Sequence, residues 1–218
     1  MGIKVHMLAA LGMAATNGFI VGDEDAKSCV IIDAPEAPDK FLEMIDNEGW
    51  TLKAILATHA HWDHVLAIRA IKVAYDAPFY LHEADMPILN NLVTRYQQLT
   101  GRNTEPAPPP NHFLQPGMVL EFDAMRFEVR HTPGHTPGHV SFVLHDHAVI
   151  FSGDCLFEGG VGRTDIPMAN HSVLMESIFS QILTLPDDFT VACGHGRTTT
   201  IGREKQSNPF VLEWMQHP

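Results

Sequence analysis

Cysteine is scarce in this chain. Cys29, Cys155 and Cys193 form an odd set with no paired spacing, so no disulfide framework is expected and reduced thiols in a cytoplasmic protein fit better. Basic residues are also few, with 14 Lys+Arg against 26 Asp+Glu and a formal net charge of -12. That shortage argues against a nucleic-acid backbone or an anionic membrane as the main partner, because both are bound through excess Lys and Arg. No apolar run approaches the roughly 20 residues needed to span a bilayer. The start, Met1-Gly2-Ile3-Lys4-Val5, lacks the charged, apolar and small-residue order of a secretion signal. Internal repeats are absent as well. Histidine is the exception: at 14 it equals Lys and Arg combined. A chain of 218 residues with 45% hydrophobic content can build one large core, and residues 1–218 read as a single domain.

Apolar patterning predicts strands at Ile3 to Leu8, Gly18 to Val21 and Ser28 to Asp33, with a hairpin turn at Gly22-Asp23-Glu24-Asp25. A helix opening at Pro35 and ending near Gly49 follows, then the strand Ala54 to Ala57 and a helix from Val65 to Tyr75. A strand at Pro78 to Leu81 leads into a helix from Ala84 to Leu99. Gly101 to Pro116, with Pro106-Ala107-Pro108-Pro109-Pro110, reads as an ordered surface loop. Two hairpins come next, Val119 to Phe122 with Met125 to His131, and Val140 to Leu144 with Ala148 to Phe151. The chain then predicts a helix from Ser172 to Leu185, a strand from Thr190 to Cys193, and helical residues to the end. Strands and helices thus recur in two similar halves, an α/β pattern.

Thr58-His59-Ala60-His61-Trp62-Asp63-His64 places three imidazoles and a carboxylate on one turn after an apolar strand. Such a turn would make a poor core, but imidazole and carboxylate are what a borderline divalent ion binds. Ligands this close in sequence cannot all close on one ion tetrahedrally, so more than one ion is expected. Ligand-type residues recur at later strand ends, in Thr132-Pro133-Gly134-His135-Thr136-Pro137-Gly138-His139, in Ser152-Gly153-Asp154 and in Gly194-His195-Gly196. Four strands ending this way would line their residues along one edge of a sheet.

Taken in order, these motifs resemble the metallo-β-lactamase superfamily, and the resemblance covers nearly the whole chain. It implies a four-layer αββα sandwich. It also implies a dinuclear centre in which His59, His61 and His135 hold one ion, Asp63, His64 and His195 hold the second, and Asp154 bridges. Zinc is the expected metal, with iron and manganese left open by the same ligand chemistry. Two such ions share a hydroxide made from water near neutral pH, and Asp63 lies where it would orient it. His131 and His139 flank His135 and are expected to support the turn. His6, His82, His112, His145, His147, His171 and His217 are expected to be surface or satisfied polar residues. Cys155 is expected to be a buried thiol.

The stretches around His135 and His195, and Ser207-Asn208-Pro209-Phe210, are similar to glyoxalase II, the hydroxyacylglutathione hydrolases. Gly162-Arg163-Thr164-Asp165 resembles its short single-domain branch and the related iron-dependent glutathione persulfide dioxygenases. The dioxygenases usually carry Ala-His-Asp where this chain has Gly194-His195-Gly196, which favours the hydrolase. The resemblance therefore implies a small-molecule substrate, a glutathione thioester such as S-lactoylglutathione, with lactone, β-lactam or phosphoester hydrolysis as the alternatives. Arg163, Arg203 and Lys205 are the candidate contacts for an anionic substrate. Two features depart from the group. Val65-Leu66-Ala67 stands where glycines usually follow Asp-His, putting the bulk of Leu66 beneath the site. The C-terminal helical domain that helps long glyoxalase II enzymes bind glutathione is not expected after the last motif. Oligomeric state is not readable from the sequence.

Overall fold

The computed structural model describes residues 2–216, so His217 lies outside the described residues. Its elements run β1 (Ile3–Leu11), β2 (Thr16–Asp23), β3 (Ser28–Ile32), α1 (Pro38–Glu48), β4 (Thr51–Leu56), α2 (Trp62–Val65), α3 (Ile68–Ala74) and β5 (Phe79–His82). They continue with α4 (Met86–Asn90), α5 (Leu92–Thr100), β6 (His112–Leu114), β7 (Val119–Phe122), β8 (Met125–His131), β9 (Val140–Leu144) and β10 (Val149–Gly153). The last are β11 (Leu156–Phe157), β12 (Gly160–Val161), α6 (His171–Ser177), β13 (Thr190–Cys193), β14 (Thr199–Thr200), α7 (Ile201–Ser207) and α8 (Pro209–Gln216).

Two six-stranded sheets form the centre, ordered β1-β2-β3-β4-β5-β6 and β14-β13-β10-β9-β8-β7. Strand side chains alternate between faces, and this separates three cores. On β3, Val30 and Ile32 point inward with Ala54 and Leu56 of β4 and meet Phe127, Val129, Phe142 and Phe151 of the second sheet. Cys29 and Ile31 point the other way, against Phe41 and Ile45 of α1 and Ile68 and Ile71 of α3. On the second sheet Ile150 and Val191 face outward onto Leu174 and Met175 of α6, Ile201 of α7 and Val211 of α8. The result is the expected αββα sandwich. Each fully buried Phe or Ile contributes about 1.5–3 kcal/mol relative to exposure.

Several predicted elements differ from those observed. The Pro-rich loop contains β6, a short edge strand parallel to β5, with Tyr80 opposite His112. Asn111 Oδ1 anchors it by accepting the Phe79 N–H at 2.9 Å. The helix predicted from Val65 to Tyr75 is broken at Leu66–Ala67, where the Ala67 N–H reaches across to the Ala34 carbonyl. Leu66 packs against the outer core of the first sheet. The helix predicted from Ala84 to Leu99 is likewise two helices after a 3-10 turn at Glu83–Asp85. Helix α1 starts later than expected, at Pro38, where a proline costs no hydrogen bond. It ends at Gly49, whose φ of 66° accepts the left-handed cap. No described helix is long and apolar enough to cross a membrane.

Candidate metal centre

The side chains predicted to be ligands arise where β4, β8, β10 and β13 end. Their strands do not share one sheet edge, as the sequence pattern implied. Strand β4 lies in the first sheet and the other three in the second, so the site sits across the end of the sandwich. This follows from pairing: β4 runs parallel between β3 and β5, while β10 pairs with β9 and β13.

The structure brings all of them together. His59, His61 and His135 converge, as do His59, His64 and Asp154, and Asp63, His64 and His195; within each group the candidate ligand atoms lie within 4.8 Å of one another. His64 Nε2 is 3.3 Å from Asp154 Oδ1, and His195 Nε2 is 3.3 Å from Asp63 Oδ2 and 3.4 Å from Asp154 Oδ2. His135 Nε2 is 2.9 Å from His61 Nδ1.

Buried supports hold these groups. The His64 imidazole donates from Nδ1 to Asp33 Oδ2 at 2.8 Å. Thr58 donates its hydroxyl to the same oxygen at 2.8 Å and lies 3.1 Å from His59 Nδ1. Asp33 therefore orients two rings and leaves their Nε2 atoms turned toward the cluster. Its φ of 54° is unusual for a side-chain-bearing residue and is held in place by the Asp33 N–H to Leu56 carbonyl bond. His135 donates from Nδ1 to the Arg163 carbonyl at 2.9 Å, which turns its Nε2 inward too. Asp85 ties two ligand turns together by accepting the Ala60 N–H, the Thr136 hydroxyl and the Gly138 N–H. Asn17 holds the last turn, donating to the Cys193 and Gly196 carbonyls. Thr16 donates to Asp63 Oδ2 at 2.8 Å. Sequence reasoning missed Asp33, Asp85, Asn17 and Thr16. The one local signal was an Asp closing the apolar strand β3.

The flanking histidines support the turn. His139 accepts the Asp154 N–H at Nε2 and pairs with Thr132 at Nδ1. Gly153, just before Asp154, has a φ of 50°, and a Cβ there would come within 2.5 Å of the Thr58 hydroxyl and 2.7 Å of His139 Nε2. Only glycine lets β10 pass so close. His131 lies 3.0 Å from the Pro137 carbonyl and stacks on His82. His112 packs on Tyr80, His145 pairs with Glu128, and His147 and His171 are exposed. His6 corrects an expectation: its Nε2 is buried beside Trp50 and has no partner among the described residues. Cys155 is fully buried, and burial pushes its thiol well above the usual range.

Electrostatics separate the cluster into two kinds of imidazole. Burial holds His59 well below its ordinary value and lowers His61 to about 3. His64 and His195 also feel burial, but it is outweighed by Asp154, Asp33 and Asp63 around His64 and by Asp154 and Asp63 around His195; His64 is raised well above its ordinary value and His195 to about 10. Burial opposes ionisation of Asp63, yet His64 and His195 bring it down to about 2. Among the described residues, three buried polar atoms turned into the cluster, His59 Nε2, His64 Nε2 and Asp154 Oδ1, make no well-formed hydrogen bond, the last two facing each other at 3.3 Å without one. Orphaned atoms of these types, converging in overlapping groups, suit a dinuclear metal site.

A cavity of about 810 Å³ opens onto this cluster, with His61, Asp63, His135, Asp154 and His195 in its wall. Arg163 lines it too, paired with Asp165 at 2.8 and 3.0 Å. Arg203 instead pairs with Glu158, and Lys205 with Asp187; neither is in the cavity wall. Leu66 is not in that wall either, so the residues replacing glycine after Asp-His act on the core rather than on the pocket.

Residues 12–195 match the family model described as the metallo-beta-lactamase superfamily. The chain is 39% identical over 189 residues to the hydroxyacylglutathione hydrolase GloC of Haemophilus influenzae, covering 86% of this chain and 89% of that protein. Among solved structures it is similar to the BLEG-1 B3 metallo-beta-lactamase, with a TM-score of 0.89, 38% identity, and 95% and 99% of the two chains covered. It is also similar to TTHA1623 in a di-iron-bound form, with a TM-score of 0.86, 38% identity, and 94% and 99% covered.

Proposed function

The chain belongs to the metallo-beta-lactamase superfamily of metal-dependent hydrolases, and from that premise we propose that it hydrolyses thioesters of the hydroxyacylglutathione type at a dinuclear centre. His59, His61 and His135 would hold one ion, Asp63, His64 and His195 the other, with Asp154 between them. The orphaned His59 Nε2, His64 Nε2 and Asp154 Oδ1 support this ligand set. Two divalent ions bound here would lower the pKa of water toward neutrality and polarise the substrate carbonyl. Zinc suits the donors, and iron is the alternative in view of the di-iron form of TTHA1623.

The chain's own residues do the remaining work. Asp63, its Oδ2 fixed by the Thr16 hydroxyl, orients the attacking water. The Asp33 carboxylate and the Arg163 carbonyl keep His64 and His135 aimed inward, so the site needs little rearrangement on reaction. The apolar wall built by Trp62, Ile88, Phe157 and Met168 excludes water around a bound acyl group.

The observation that carries the thioester reading is the make-up of the cavity wall. Every imidazole and carboxyl in it (His61, Asp63, His135, Asp154, His195) belongs to the metal cluster; the guanidiniums of Arg95 and Arg163 hold their protons too tightly to serve as acids, and no Tyr, Lys, Cys or Glu lines it among the described residues. Such a wall offers a leaving group no separate general acid. A thiolate departs without one, whereas an amine or alkoxide gains from protonation. The GloC relative supports the same substrate class. A β-lactam is the second reading, favoured by the likeness to BLEG-1. Metal analysis of the purified protein with a panel of S-lactoylglutathione, a lactone, a β-lactam and an aryl phosphodiester tests the proposal. Turnover of the thioester is expected. An untouched thioester beside another rapidly cleaved substrate would overturn it.

A further inference from the structure

The cations proposed from sequence all have carboxylate partners: Arg163 with Asp165, Arg203 with Glu158 and Lys205 with Asp187. A fourth cation does not. Arg95 lies on α5, half-buried in the cavity wall, and among the described residues no carboxylate or hydrogen-bond acceptor engages its guanidinium. Its backbone N–H is used in the helix, donating to the Asn91 carbonyl at 2.9 Å.

The neighbours of Arg95 on that helix, and Asn91 at its N-cap, extend the same chemistry. Asn91, Arg95 and Gln98 are spaced four and three residues apart, which aligns them on one helical face, and all three line the cavity. Neither amide side chain has a hydrogen bond among the described residues, so a row of uncommitted donors faces the cavity. Leu92 and Leu99 flank that row and supply an apolar rim. A half-buried guanidinium has lost part of its hydration without gaining a partner, a cost that an incoming anion removes. The need is greater because the protein as a whole is acidic, at -12, and repels anions at long range.

The structure assigns Arg95, with Asn91 and Gln98, as the site that binds a carboxylate on the thiol side of the substrate. The planar fork of the guanidinium matches a carboxylate in two parallel hydrogen bonds, and the two amides add neutral donors on either side. Arg95 is then a specificity-determining residue: it places a carboxylate-bearing thioester with its carbonyl at the metal cluster and gives nothing to an uncharged one. This assignment rests on the thioester reading above.

The test measures binding rather than turnover. Calorimetry on the metal-loaded protein would compare S-hexylglutathione, a thioether that cannot be hydrolysed, with its diethyl ester, in which both carboxylates are masked. The wild type is expected to prefer the free acid. Arg95→Gln should weaken binding of the free acid roughly 10- to 100-fold, the range for a charge-assisted hydrogen-bonded pair, and leave the diester unchanged. Arg126→Gln, which removes an equal charge from the β7–β8 hairpin where Arg126 pairs with Glu121, should change neither. The assignment is overturned if the wild type fails to bind the thioether or shows no preference for the free acid. It is equally overturned if Arg95→Gln keeps that preference. Arg95-dependent binding without hydrolysis of S-lactoylglutathione would sink the proposed function and leave the carboxylate site standing; hydrolysis with Arg95-independent binding would do the reverse.

Discussion

Asp33 accepts the Nδ1–H of His64 at 2.8 Å with both residues fully enclosed, and the Thr58 hydroxyl joins His59 to the same carboxylate oxygen. One carboxylate at the end of β3 thus sets the orientation of rings proposed to serve different ions. Asp33→Asn should lower metal affinity by roughly 10- to 100-fold, as loss of such supporting partners does elsewhere. Metal content after dialysis against a graded chelator, with far-ultraviolet dichroism to verify folding, measures it. Wild-type retention of both ions by the variant would show that Asp33 does not orient the rings.

Asp154 lies between the groups, within 3.5 Å of His135, His64 and His195. Asp154→Asn and His61→Ala should each abolish hydrolysis of whatever substrate proves to be turned over, and Asp154→Asn should hold fewer ions than the wild type. Removing metal with a chelator should give the same loss, reversible on adding zinc or iron back. Activity surviving in both variants would place the chemistry elsewhere.

Gly194 stands where β13 meets the cluster, and a Cβ built on it would strike Asp154 Oδ1 and approach His64 Cε1 to 2.9 Å. Gly194→Ala should therefore displace two candidate ligands at once and reduce metal occupancy and kcat by at least tenfold, since small misplacements at a reacting centre are costly. Normal metal content in this variant would show that the turn can relax.

Asp85 accepts three hydrogen bonds that join the His59–His61 turn to the His135 turn. Asp85→Ala leaves three donors without that acceptor and should cost about 3 kcal/mol, read as a lower denaturant midpoint. The pH dependence has a definite sign. Burial holds the Asp85 carboxyl above its ordinary 3.8 despite those donors, so the folded protein keeps the proton to higher pH than the unfolded chain. Its contribution is fully present below 3.8 and is lost as pH rises through the raised folded value. The stability gap between wild type and Asp85→Asn should accordingly narrow as pH rises across that window. A gap that widens would contradict the assignment.

Leu66 packs into the outer core of the first sheet and does not face the cavity. Leu66→Gly should lower the melting temperature while leaving the ratio of kcat/KM between two thioesters within twofold. A changed ratio would mean that the residue shapes the pocket after all.

The candidate ligands were legible because each lies in a short local pattern: an apolar strand, then a Gly- or His-rich turn, as in Leu56 to His64 or Cys193 to His195. The unbroken apolar runs Cys29 to Ile32 of β3 and Ala54 to Leu56 of β4 likewise exposed those strands, since a strand buried on both faces carries apolar side chains without alternation. Strand β6 was hidden because an edge strand of three residues carries too little pattern to outweigh the prolines before it. Asp33, Asp85, Asn17 and Arg95 were hidden for another reason. Asp33 meets His64 across 31 residues, Asp85 meets Gly138 across 53, and Asn17 meets Cys193 across 176. Apart from the apolar strand that Asp33 closes, nothing next to them in the chain marks them as different from any surface polar residue. Local sequence was enough to nominate the candidate metal ligands and to put them at strand ends. Which sheet each strand joined, which buried carboxylate aims which ring, and which guanidinium of the cavity wall lacks a carboxylate among the described residues came from the folded arrangement, because those outcomes depend on atoms that the closing of the sandwich brings together.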